Sequence, residues 1–170
     1  MTLRPVESGL AMLVLTELYP FVKTLPLIRY LTGDLVEVVP GACEVDPVAF
    51  APKGRYARCL TDQAATQARV LLTQTELLDA VEETPEVLQA GPAMGEPRVA
   101  MRIERGSREI VVEFQSRFSS EYFAEAARAA EASLARRLRH ASPSLRSALD
   151  EGYHLKVIAT DREPPARSGS

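Results

Sequence analysis

The sequence predicts an α+β domain in which an antiparallel sheet packs against a long C-terminal helix. Three observations carry that reading. Residues Arg98 to Glu104 alternate, with Val99, Met101 and Ile103 on one side, and Ile110, Val112 and Phe114 repeat the alternation after Arg105-Gly106-Ser107-Arg108, whose glycine suits a tight turn. Immediately beyond this hairpin (98 to 118), Phe123, Ala127, Ala130, Leu134, Leu138 and Ala141 recur at helical spacing as one apolar stripe, while Arg128, Glu131, Arg136 and Arg139 fall largely outside it. The 170 residues, 46% of them hydrophobic, are enough for one domain with a core, since a chain of about 150 residues buries roughly 70% of its unfolded surface. We expect a single domain over 1–160 and a disordered Pro/Ser/Gly tail over 161–170.

Along the chain, Leu10 to Thr16 is a continuous apolar run that reads as a buried strand. Leu18 to Leu31 has helical spacing interrupted by Pro20 and Pro26, which predicts two short helical pieces stopped by Thr32-Gly33-Asp34. Leu35 to Val39 is β-branched and closed by Pro40-Gly41, a strand and a turn. Two weak strands follow, Val45 to Phe50 and Arg55 to Leu60, whose neighbouring prolines Pro47 and Pro52 favour sheet edges. Asp62 to Glu83 suits either helix or strand by spacing, and its Ala, Gln, Leu and Glu content favours helix. Glu86 to Ala90 reads as a short strand, Gly91 to Pro97 as a connecting loop. Ser119 or Ser120 is the expected cap of the long helix, with Glu121 in its first turn. Ser142-Pro143 opens a second helix that ends at Gly152, and His154 to Ala159 forms a last strand.

Charge narrows the function. With 20 Lys and Arg against 23 Asp and Glu the net charge is -3, so no global field steers the chain onto nucleic acid or an anionic membrane. Arg98, Arg102, Arg105, Arg108 and Arg117 form a candidate arginine face on the hairpin, but Glu104, Glu109 and Glu113 are interleaved with them and exposed aromatics for base stacking are missing, which argues against nucleic acid. The Leu10 to Leu15 run is too short and too close to Glu7 and Glu17 for a membrane span or a signal peptide, and a cytoplasmic protein is expected.

Catalytic chemistry finds little purchase. The two histidines, His140 and His154, stand apart in sequence; His140 falls in the last turn of the long helix, where the helix dipole favours a cation. Cys43 and Cys59 have no metal-ligand spacing and no context marking a nucleophile, so both read as structural thiols. Phosphate-cradling glycine motifs are lacking. The pairs Glu82-Glu83 and Asp150-Glu151 sit at element ends, where solvated charge is the ordinary role. No catalytic residue, metal site or cofactor is expected.

The order of elements, an early strand, short helices, a run of strands, a terminal hairpin and a long Ala-striped helix, resembles the helix-grip fold of the START-like lipid-transfer and polyketide-cyclase superfamily over about residues 8 to 141. The phrase Glu17-Leu18-Tyr19-Pro20-Phe21 is loosely similar to the first-helix region of its ubiquinone-binding members. The resemblance implies that Arg69 to Glu83 is largely strand. It also implies a pocket between sheet and helix lined by Met101, Ile103, Val112, Phe114, Phe123, Ala127 and Leu134, or the same residues as a closed core. The function this suggests is non-catalytic binding of a small apolar ligand. The alternative is a protein-interaction module, including self-association, that uses the arginine-rich hairpin face or the long helix.

Overall fold

Among the described residues there are nine strands and three helices, and the strands fall into three separate sheets. The computed structural model describes residues 2–7, 9–15, 30–40, 48–63, 68–88, 98–104 and 107–162. The readings of residues 18–29, Cys43, the start of the Val45 strand, the 91–97 loop, the Arg105-Gly106 turn and the tail beyond Arg162 lie outside them. The chain divides into two compact units, Met1–Thr75 and Glu76–Ser170.

The first unit is an antiparallel meander of β1 (Thr2–Glu7), β2 (Leu10–Leu15), β3 (Tyr30–Pro40) and β4 (Val48–Arg55), paired in chain order. The apolar run that predicted a strand is β2. β1 went unpredicted, since Arg4 and Pro5 dilute its pattern. Pro5 and Pro52 both lie in the outer strands of this sheet, where a missing N–H costs least. Thr32-Gly33-Asp34, expected to stop a helix, instead lies inside β3, between the pairs Met12↔Leu35 and Val14↔Leu31. Gly33 takes φ +79° there, and Thr32 Oγ1 donates to the Leu13 carbonyl at 3.2 Å and accepts from Asp34 N–H at 3.1 Å. This is a bulge held by one hydroxyl, not a terminator. A single 3-10 turn, Tyr56–Arg58, takes the place of the expected strand over residues 55 to 60. Then come β5 (Leu60–Asp62) and β6 (Arg69–Leu72), an antiparallel pair. Leu35, Cys59 and Val70 form the buried centre, flanked by Val6, Leu10 and Tyr56.

Asp62 to Glu83 resolves into both alternatives: β5 closes and β6 follows, and α1 (Gln74–Glu82) begins only after them. Arg69-Val-Leu-Leu pairs because β5 offers it a ladder, and pairing outweighs the helix preference of the surrounding composition.

The second unit carries a three-stranded sheet of β7 (Val99–Ile103), β8 (Glu109–Gln115) and β9 (His154–Thr160), in that order. β7 and β8 form the expected hairpin, with Val99 opposite Phe114, Met101 opposite Val112 and Ile103 opposite Ile110. β9 returns parallel to β8, so this sheet is mixed rather than wholly antiparallel. The return runs through α2 (Ala124–Ala141) and α3 (Pro143–Asp150), the helical crossover that a parallel pairing requires. By register, Leu155, Val157 and Ala159 continue the apolar face begun by Ile110, Val112 and Phe114. α2 packs along β9 with Ala127, Ala130, Leu134 and Leu138 buried, four positions of the expected stripe.

Helix ends show where local chemistry ruled. Ser142 Oγ accepts from Leu145 N–H at 3.2 Å with Pro143 in the first turn, as predicted, and Gly152, φ +95°, follows α3. α2 departs from expectation. It starts at Ala124, its capping position is Phe123 without a side-chain bond, and Glu125 rather than Glu121 lies in the first turn. Ser119 and Ser120 are instead held by Asp161, which accepts from Ser120 N–H at 2.6 Å and from Ser119 Oγ at 3.2 Å.

Candidate functional site

Three surfaces of the second unit bear on function: the seam between sheet and helix, the charged face of the hairpin, and a cleft at the C-terminal half of α2. The seam contains most of the residues named for a ligand pocket. Val112, Phe114 and Leu134 have no solvent exposure, Met101 and Ala127 are buried, and Ile103 is half-buried. Phe123 stands apart at 58% exposed, edge-to-face against Phe118 with centroids 6.1 Å apart. Its neighbour Tyr122 is 82% exposed.

The described arginines of the hairpin are engaged one by one. Arg102 Nη1 sits 2.8 Å from Glu113 and Nε 3.0 Å from Glu104, and chiefly its hydrogen bond with Glu113 pushes the guanidinium's pKa further up. Arg98 donates to Gln115 Oε1 at 2.9 Å, and Arg117 Nε to the Val87 carbonyl at 3.1 Å. Arg108 donates to the Glu151 carbonyl at 2.7 Å and lies 5.7 Å over the Tyr153 ring. Lys156 lies 3.9 Å from Glu109. Each of these described cations has a partner within the protein.

The cleft is different. Asp79, Ala80 and Glu83, one turn at the end of α1 and just past it, face Arg136, Arg137, His140 and Ala141 from α2 across an open volume of about 560 Å³. The spacing builds both walls: positions i, i+1 and i+4 on α1, and i, i+1, i+4 and i+5 on α2, each set sharing a helix face. One wall is acidic and the other basic. A single ion pair, Arg137 Nη1 to Glu83 Oε2, joins them. Arg137 Nε is buried with no hydrogen-bond partner, so the guanidinium is only partly used. The side chains of Asp79, Arg136 and His140 make no hydrogen bond or ion pair with any described residue.

In sequence, Arg136 and Arg139 fall outside the apolar stripe of the long helix and Glu82-Glu83 reads as solvated charge. Sequence alone could not bring the two walls together, because the approach of α1 to α2 is tertiary; the available signal was complementary spacing, Asp79 with Glu83 against Arg136 with His140. Among the described residues no three His, Cys, Asp or Glu side chains gather as a metal site. Cys59 is buried, with its thiol 3.3 Å from the Arg55 carbonyl. No described helix is long and apolar enough to cross a membrane. Searches against family models and against curated proteins found no match to this chain.

Proposed function

We propose that the chain is a non-catalytic binding protein whose site is the cleft between α1 and α2, and that its ligand is small and polar. One observation carries this reading: acidic and basic side chains from two helices face one another across about 560 Å³ of open space, a volume in the range of small-ligand sites, and the exposed Asp79, Arg136 and His140 side chains are unpaired there. Compared with the sheet-to-helix seam of the apolar-ligand reading, the cleft is reached from solvent without displacing core side chains. The single antiparallel sheet implied by the helix-grip resemblance is not what the described strands form: they fall into three sheets, one of them mixed.

The test is nuclear magnetic resonance mapping of the full chain with a panel of small charged compounds. Saturable shifts confined to the amides of Asp79 to Glu83 and Arg136 to Ala141 are expected. Uniform or absent shifts across the panel would remove the cleft as a site.

A second reading, docking of a protein partner, is favoured by the exposed Tyr122 and Phe123 at the start of α2. Photo-crosslinking from position 122 in cells should then trap one discrete adduct that position 154 does not.

A further inference from the structure

We infer that the α1–α2 cleft takes a small zwitterion, a molecule of amino-acid or dipeptide size, with its acid group toward Arg136 and Arg137 and its cationic group toward Asp79. The inference rests on the cleft being the ligand site and adds the charge pattern of what fills it. Arg137 and Glu83 neutralise each other, which leaves Arg136 on one wall and Asp79 on the other as unpaired charges of opposite sign. His140 adds a hydrogen-bonding imidazole on the basic side.

A lone anion fits this balance poorly. It would face Asp79 and Glu83 on the opposite wall. A lone cation would meet Arg136, Arg137 and His140. A ligand bearing both signs satisfies both walls. Arg137 strengthens the assignment: with one nitrogen on Glu83 and Nε unpartnered, a modest outward swing would present its planar fork to a carboxylate, which two parallel N–H groups bind better than one. The small floor residues, Ala80 and Ala141, let a short ligand lie close to both helices, and no aromatic ring lines the space to select a flat one.

Titration of the full-length protein with L-alanine and dialanine, monitored by amide shifts, tests this against acetate, inorganic phosphate and ethylamine, each of which carries charge of one sign. The zwitterions should shift Asp79, Glu83, Arg136, Arg137 and His140 saturably, with affinity at least about tenfold above any single-sign probe. Arg136→Ala and Asp79→Asn should each weaken alanine binding about tenfold, with spectra otherwise unchanged to confirm folding, and Arg136→Lys should lose less. Acetate or phosphate binding the cleft as tightly as alanine would overturn the zwitterion and leave the cleft as a site. Failure of every probe to shift these amides would remove both.

Discussion

Glu131 Oε1, on α2, accepts the backbone N–H of Ala159 on β9 at 2.9 Å. β9 is the outer strand of its sheet, and this carboxylate covers one of the donors that an edge otherwise offers to a foreign strand. Replacing Glu131 by Ala leaves that half-buried donor without its acceptor and should cost about 1–2 kcal/mol, whereas Gln, which keeps an acceptor, should cost less than half as much. Urea denaturation midpoints of the two variants check it. The Ala variant should also aggregate sooner at equal concentration.

Asp161 gives a pH dependence with a definite sign. The hydrogen bond from Ser120 N–H, helped by those from Ser120 and Ser119 side chains, holds its carboxyl below the ordinary 3.8. A carboxyl lowered on folding adds stability at pH above its unfolded value and loses it as pH falls through the folded one. The contribution should therefore be full at neutral pH and fade below 3.8. Asp161→Asn should be less stable than wild type at neutral pH and should close the gap in acid, a convergence readable from denaturation midpoints across that range.

Gly54 and Gly33 separate two costs. Both have positive φ, +89° and +79°. A Cβ on Gly33 meets nothing within 4 Å, whereas on Gly54 it would lie 2.6 Å from Gln74 Cβ. Gln74 also accepts Arg55 N–H at 3.0 Å, so it cannot retreat without losing that bond. Gly33→Ala should cost about 1–2 kcal/mol from backbone conformation alone, and Gly54→Ala clearly more. Equal losses in thermal denaturation would contradict the contact.

Phe114 and Phe123 lie close in sequence and far apart in environment. Phe114 is fully buried and Phe123 is 58% exposed. Phe114→Ala should cost about 3–5 kcal/mol, and Phe123→Ala under about 1 kcal/mol. Parallel urea titrations of the two variants settle the order.

These contrasts show what the amino-acid order could and could not reveal. β7, β8 and β9, the stripe of α2 and the Ser142 cap were legible because each rests on neighbours a few residues away. The start of α2 was not, since Asp161 claims Ser119 and Ser120 from the far end of the unit. β6 was not separable from helix by spacing, because its partner β5, not its own composition, decides its conformation. The parallel sense of β9 and the cleft share that limit. Among the seam residues alternation in the hairpin and helical spacing in α2 identified the buried set well, and the helical spacing failed at Phe123, where the helix begins one residue later and the ring is exposed.

The pairing of β9 with β8 also sets a schedule for synthesis. The hairpin can close as soon as Gln115 leaves the ribosome, but its third strand is translated only after both helices. Until Thr160 emerges, the apolar flank of β8 must wait uncovered, so a nascent chain stalled before His154 should be the form that chaperones hold and proteases cut.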